Sequence, residues 1–121
     1  MKTGLIILGH GSKAPEATQT LAEVTAMVRD RVSYDLVEYA SLQISEPPLG
    51  TVVEKMVAEG VEKIVVMPFL IAVGVHVKTD IPEELSALSK KHPGLELHLT
   101  GPLGADSRLA DIVVDRVKET E

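Results

Sequence analysis

An apolar run from Leu5 to Leu8 opens the chain, and an amphipathic stretch follows it. An unbroken run of this kind is typical of a strand that is buried on both faces of a parallel sheet. In the next stretch, apolar residues recur at steps of four, three and four, the spacing of one helix face: Ala17, Leu21, Val24 and Val28. This part of the chain therefore predicts one strand followed by one helix.

The same strand–helix pair recurs in the middle of the chain. The second strand is predicted within DLVEYASLQ, with a helix after Pro47 and Pro48. The third strand, KIVVMPFLI, is apolar almost throughout and is predicted to be central, with Pro68 at its carboxyl end because proline cannot donate to a ladder. The loop LIAVGVHVKT leads to a helix that Asp80 is expected to open, with Pro82 in its first turn.

A fourth pair ends the chain. It consists of the strand LELHLT, the turn GPLGAD and a helix with one apolar face, formed by Leu109, Ile112, Val113 and Val117. Four such pairs predict an α/β fold with a single open, mainly parallel four-stranded sheet and helices on both faces. The length of 121 residues fits one domain, 1–121.

Two histidines follow strands of the predicted sheet. His10 comes after the first strand, between Gly9 and Gly11, and His76 comes after the third. Open parallel sheets bind ligands at the carboxyl ends of their strands, so both histidines are expected at one edge. Two imidazoles supply half of a tetrahedral shell and leave positions open for a substrate's donor atoms. The alternative for each histidine is a polar loop residue that bonds to the backbone.

Ser12 and Glu46 fall at the same predicted edge. The motif G-x-S-x-G is absent around Ser12, so this serine is interpreted as the N-cap of the first helix or as a donor to an anionic ligand. Glu46 has three interpretations: a general acid, a carboxylate that orients a ligand, or a charge that complements a helix dipole. His92, in KKHPG, is interpreted as a surface cap at the carboxyl end of a helix, and His98 is interpreted as structural.

The composition of the chain excludes several kinds of site and makes some partners unexpected. The chain has no cysteine, which excludes disulfides, thiolate metal ligands and cysteine nucleophiles. Its net charge of −6 makes nucleic acid or an anionic membrane surface an unexpected partner. No stretch approaches the roughly 20 apolar residues of a membrane span, and the first apolar run is too short for a signal peptide. We therefore expect a cytoplasmic protein.

The motifs GHGS, SEP and PFLIAVGVHVKTDIP, followed by GPLGAD and an amphipathic last helix, resemble the small form of the class II chelatases, the CbiX family. The resemblance covers nearly the whole chain in order, and G-V-H-x-x-x-D-I-P together with G-H-G-S is its most specific part. It implies insertion of a divalent metal ion into sirohydrochlorin, in tetrapyrrole and cobalamin biosynthesis, with cobalt favoured over nickel or iron. It also implies a lyase that needs no nucleotide and no permanently bound cofactor, because the metal is a substrate.

The resemblance assigns roles to individual residues. It implies that His10 is a metal ligand and the proton acceptor, that His76 is the second metal ligand, and that Glu46 contacts the tetrapyrrole. The substrate-binding segment falls on Ile71, Ala72, Val73, Gly74 and Val75. For the carboxylates of the tetrapyrrole, Lys13 and Lys78 are the candidate cations.

The size of the chain suggests an assembly. Longer chelatases of this class resemble two such units joined in one chain, and a single sheet offers only a shallow edge. We therefore expect a symmetric homodimer whose two edges face each other. Two other functions stay open: a tetrapyrrole or metal carrier without insertion activity, and, less favoured, an α/β hydrolase.

Overall fold

The computed structural model describes residues 1–42 and 45–121. Strands and helices alternate in these residues, as the hydrophobic pattern predicts. In order they are β1 (Thr3–Gly9), α1 (Pro15–Arg29), β2 (Leu36–Ser41), α2 (Leu49–Ala58), β3 (Lys63–Pro68), α3 (Val75–Lys91), β4 (Glu96–Leu99) and α4 (Ser107–Lys118). The last residue of the predicted second strand, Gln43, lies outside the described residues.

The strands form one sheet in the order β2-β1-β3-β4, and every pairing is parallel. Parallel neighbours need crossover connections, which the helices provide. The predicted α/β class and the interior position of β3 are confirmed. Pro68 ends β3 beside Leu8, as expected for a residue that has no N–H to donate.

Alternate residues of the two inner strands point into two separate cores. One core packs α2 and α3 against Ile6 and Leu8 of β1 and Ile64 and Val66 of β3. The other core packs Leu21 of α1 against the opposite face of the sheet. Helices therefore cover both faces, and this explains why β1 is apolar at every position from Leu5 to Leu8.

Arg29 joins the end of α1 to the edge strand β2. Its guanidinium donates two hydrogen bonds to the carbonyl oxygen of Val37, at 3.2 Å from Nε and 2.5 Å from Nη2. At the start of the strands, the backbone N–H of Thr3 donates to Asp35 at 2.8 Å. These bonds fix β2 against the rest of the sheet.

The start of α3 differs from the prediction. The helix begins at Val75, with Gly74 at the N-cap, so that Asp80 and Pro82 lie inside it and do not open it. Proline inside a helix costs about 3 kcal/mol. Ile81 is fully buried and Val77 packs against the same core, and burying an aliphatic side chain contributes about 1.5–3 kcal/mol. The free energy gained by burying Ile81 and Val77 therefore offsets the cost of proline inside the helix.

The last helix leaves most of its predicted apolar face exposed. None of the residues of α4, all of which the structure describes, is buried. Ile112, Val113, Val114 and Val117 are between 47% and 61% exposed. The helix forms where the sequence predicts it, but the residues that the structure describes leave most of its apolar face exposed.

Candidate active site at the carboxyl edge of the sheet

The loops after β1 and β3 lie side by side at the carboxyl edge of the sheet. The strand order reverses between these two neighbouring strands, since β2 follows β1 on one side and β3 and β4 lie on the other. Such a reversal opens a crevice in which α/β proteins bind their ligands. The sequence places His10 in the first of these loops and His76 just beyond the second. The fold thus brings both predicted metal ligands to the edge of the sheet at which such a crevice is expected.

His10 lines a cavity of about 360 Å³, named here the histidine cavity. Its walls come from the ends of three strands and from α1: they include Gly9, Ser12, Leu21, Ser45, Phe69 and Leu70. The His10 side chain is exposed to solvent. A ligand in this cavity therefore meets an imidazole that is open to solvent.

Glycine is required on each side of His10 for a different physical reason. A Cβ on Gly9 would lie 2.8 Å from Cδ2 of Leu21, so the residue must be small for α1 to pack against β1. Gly11 has a φ of 103°, which L side chains rarely adopt. The chain therefore turns sharply after His10 while α1 stays close to the strand.

Ser12 does not cap α1. The N-cap is Ala14, which makes no side-chain capping bond, and the hydroxyl of Ser12 instead accepts a hydrogen bond from the N–H of Ala14 at 3.1 Å. The N–H of Ser12 donates to Oγ of Ser45 at 2.7 Å, and the hydroxyl of Ser45 donates back to the carbonyl of Ser12. Ser45 thus links the loop after β2 to the loop that carries His10.

The segment expected to bind substrate divides between a cavity and a helix terminus. Ile71, Ala72 and Val73 line a second cavity of about 420 Å³, named here the apolar cavity, together with Lys78. Gly74 is the N-cap of α3, and Val75, the first helical residue, is 82% exposed. The apolar cavity thus combines a hydrophobic wall with a cation.

Three other predicted residues lie outside both cavities. His76 is the second residue of α3, Glu46 lies in the loop between β2 and α2, and Lys13 follows the glycine turn; all three are exposed. Among residues 1–42 and 45–121, no group of three or more His, Cys, Asp or Glu side chains is arranged to hold a metal ion.

Sequence reasoning missed the contribution of Phe69, the single phenylalanine of the chain. Phe69 follows β3 directly, its N–H donates to the carbonyl of Leu8 at 2.7 Å, and it lines the histidine cavity. The signal available was its position directly after Pro68, where the strand ends. The turn from Gly101 to Asp106 lies at the same edge, because Leu103 and Gly104 donate to the carbonyls of Leu70 and Ile71 at 2.8 Å each.

The CbiX family model matches residues 4–120, almost the entire chain. The chain belongs to the CbiX family. This family member is 31% identical to the sirohydrochlorin cobaltochelatase of Methanococcus aeolicus, over 94% of its own length and 96% of the relative's. The expected family is therefore confirmed.

Two further relatives of this CbiX family member are about twice as long. It is 34% identical to the chloroplastic sirohydrochlorin ferrochelatase of Arabidopsis thaliana, over 95% of its own length and 51% of the plant protein. The crystal structure of the sirohydrochlorin chelatase SirB from Bacillus subtilis subspecies spizizenii in complex with cobalt matches it with a TM-score of 0.91 at 31% identity, covering 98% of this chain and 51% of SirB. The chain therefore spans about half the length of these two proteins.

Proposed function

We propose that this protein is a sirohydrochlorin chelatase, which inserts a divalent metal ion into the tetrapyrrole ring. The observation that carries the proposal is the match of residues 4–120 to the CbiX family, whose relatives include both cobalt- and iron-inserting sirohydrochlorin chelatases. Cobalt is the favoured metal, and iron and nickel are the other candidates, because all three accept imidazole ligands. The metal is a substrate, and no resident cofactor is required.

In this proposal His10 and His76 hold the metal weakly before insertion. Two imidazoles leave at least two positions of a tetrahedral shell free, and the ring nitrogens of the tetrapyrrole take these positions. Exposure of both histidines to solvent supports a site that releases its metal instead of storing it. Glu46, also exposed, is proposed to contact the tetrapyrrole from the neighbouring loop.

Metallation releases two protons from pyrrole N–H groups as two metal–nitrogen bonds form. We assign their removal to His10, since imidazole titrates near neutral pH and is suited to general base catalysis. Because the His10 side chain is exposed, it passes one proton to water before it accepts the next. The net reaction exchanges one divalent cation for two protons and requires no nucleotide.

The apolar cavity is proposed to bind the flat macrocycle. Its lining by Ile71, Ala72 and Val73 suits the face of a tetrapyrrole, and exposed Gly74 and Val75 extend this surface. Lys78 lines the same cavity and lies in the first turn of α3, whose free N–H groups also favour anions. Both features are suited to the ring carboxylates, despite the net charge of −6.

The remaining expectations belong to this proposal. The whole chain, 1–121, is proposed to act as one domain, and two copies are proposed to face each other at their carboxyl edges. The twofold length of SirB and the plant ferrochelatase supports such a pairing. No helix in the described part of the chain is long and apolar enough to span a bilayer. A cytoplasmic location, with no membrane or nucleic-acid partner, stays a prediction.

The test is anaerobic metallation of sirohydrochlorin by cobalt(II), iron(II) or nickel(II), followed by absorption spectroscopy. We expect His10→Ala to lower the rate by about 100-fold or more, because it removes a base and a ligand together. His76→Ala is expected to lower it less, with a raised apparent KM for the metal. His98→Ala is the matched control, since His98 is an exposed histidine on β4.

Two results would contradict the proposal. Metallation at the protein-free rate, with the tetrapyrrole still bound stoichiometrically, would identify a carrier. Equal rates for His10→Ala and His98→Ala would remove His10 from the mechanism. Turnover of generic esters, lost in His10→Ala, would instead favour the hydrolase.

A further inference from the structure

A serine outside the proposed chemistry lines the same cavity as His10. Ser45 follows β2 and is half-buried, and its hydroxyl forms two hydrogen bonds with the backbone of Ser12. It accepts from the N–H of Ser12 at 2.7 Å and donates to the carbonyl oxygen of the same residue. Because these two serines are 33 positions apart, a single hydroxyl joins two loops that are distant in sequence.

The loop after β2 holds the chain on both sides of His10. Before the histidine, the carbonyl oxygen of Gly9 accepts a hydrogen bond from the N–H of Leu42 at 3.0 Å. After it, the two bonds between Ser12 and Ser45 fix the chain again. The backbone that carries His10 is therefore attached to its neighbouring loop at each end of a short turn, and Ser45 provides the second attachment.

The other side-chain bond of this turn is local. The hydroxyl of Ser12 accepts from the N–H of Ala14, two residues further along, so it does not attach the turn to another element. The first helix starts only at Pro15 and has no side-chain cap. In the part of the chain that the structure describes, the side-chain hydrogen bonds that reach this turn from another loop are those of Ser45.

Proton transfer makes strict demands on the position of His10. A general base acts only when its nitrogen comes within about 2.6–3.2 Å of the group that loses the proton. A displacement of about 1 Å can lower a rate by as much as 10²-fold. Because the side chain of His10 is exposed, its position depends on the backbone that carries it more than on packed neighbours. A contact that fixes this backbone therefore also limits where the imidazole can reach.

We propose that Ser45 is a positioning residue for His10, which its hydroxyl holds in place through the backbone of Ser12. The inference rests on the proposed function, in which His10 accepts the pyrrole protons.

Glu46, the next residue along the chain, has an attachment of its own. The carbonyl oxygen of Pro47 accepts a hydrogen bond from the N–H of Ser41 at 2.9 Å, and this bond does not involve the hydroxyl of Ser45. Loss of that hydroxyl should therefore leave the proposed contact between Glu46 and the tetrapyrrole in place. We expect it to lower kcat and to leave KM for sirohydrochlorin nearly unchanged.

Amide hydrogen exchange, measured by NMR, tests the link without any chelatase assay. Ser45→Ala leaves the N–H of Ser12 without its acceptor, so we expect this amide to exchange about tenfold faster. Amides inside β1, such as that of Ile6, should exchange at the wild-type rate. Ser45→Thr keeps a hydroxyl and should restore slow exchange at Ser12. Ser33→Ala is the matched control, since Ser33 is an exposed serine in the loop between α1 and β2.

Anaerobic metallation of sirohydrochlorin by the same variants measures the consequence for His10. We expect Ser45→Ala to lower kcat by about tenfold, because the base is less well placed, with KM for sirohydrochlorin within about twofold of the wild type. Ser45→Thr should recover kcat to within about threefold. Ser33→Ala should equal the wild type in both constants.

Several results would overturn the positioning role. Unchanged exchange at Ser12 in Ser45→Ala would show that the link does not hold the turn, and faster exchange throughout β1 would show a general loss of stability instead. An unchanged kcat with a raised KM would place Ser45 in tetrapyrrole binding. A wild type that metallates no faster than the protein-free control would overturn the proposed function and the positioning role together, while the exchange at Ser12 would still report whether the two loops are linked.

Discussion

The glycine before His10 is the residue that sets how closely α1 approaches β1. Its missing side chain leaves room for Leu21, which is buried against the same strand. The sequence shows a glycine pair around His10 but not which glycine serves packing and which serves the turn. That distinction requires the helix position, because it is Leu21, twelve residues later, that occupies the space.

We therefore expect Gly9→Ala to destabilise the protein by about 1–3 kcal/mol, the usual cost of overpacking a core. The added Cβ meets Leu21 at 2.8 Å, and Leu21 is too buried to move freely. Urea unfolding measures the change. Gly94→Ala is the control, since a Cβ there meets nothing within 4 Å. Equal stability of the two variants would show that Leu21 rearranges without cost.

Ser12 shows the limit of local reasoning at the residue scale. A serine just before a helix predicts a cap, but here its backbone bonds to Ser45, a residue from another loop. This partner is distant in sequence, so no local pattern indicates it. The histidines differ, because the sequence itself shows that each of them follows a buried strand. A parallel topology then brings the ends of all strands to one edge of the sheet.

At the scale of elements, α3 shows that periodicity can predict that a helix exists without predicting where it begins. The prediction for α3 relied on Asp80 and Pro82 as start signals, and the tertiary contacts of Val77 and Ile81 extend the helix past both. For α4, the prediction that a helix follows the turn GPLGAD agrees with the structure, in which Asp106 is the N-cap. Its packing could not be predicted, since the sequence does not state which surface covers an apolar face.

The cap of α4 should respond to pH. Hydrogen bonds from the side chain and backbone N–H of Arg108 hold the pKa of Asp106 well below its usual range. A carboxyl whose pKa is lowered in the folded protein stabilises it above the unfolded pKa, and this contribution is lost as the pH falls through the folded value. We expect the first turn of α4 to lose amide protection against hydrogen exchange as the solution is acidified below about pH 4.

Asp106→Ala should remove this dependence and lower protection of the same amides at neutral pH, because the orphan N–H of Arg108 loses its acceptor. Asp111→Asn, one turn along the helix, is the control and should leave the acid response in place. An unchanged protection pattern in Asp106→Ala would mean that the cap contributes nothing to the start of α4.

At the scale of the whole molecule, the proposed function links activity to assembly. If two carboxyl edges form one deep site, the metallation rate per chain should fall as dilution separates the dimer. We expect the midpoint of this loss to coincide with the dissociation measured by sedimentation under the same conditions. A constant rate per chain across dissociation would show that one edge is sufficient.

The sequence predicts most of the overall architecture of the molecule. Buried strand runs and helix-spaced apolar residues are sufficient for the α/β class, the four pairs and the central β3. Histidine positions after strands indicate the edge that holds the candidate site. The exposure of the apolar face of α4 is not predictable, because periodicity shows which side of a helix is apolar but not whether another surface covers it.

The two guanidinium bonds from Arg29 to Val37 also affect how the sheet behaves in a crowded solution. An open sheet has two outer strands, and unpaired backbone groups there are templates for fibrillar aggregation. On β2, a charged side chain already occupies one of the carbonyls. On the other margin, β4 is four residues long and carries exposed Glu96 and His98. The charge on β2 and the short length of β4 both work against the addition of a further strand at the two edges of the sheet.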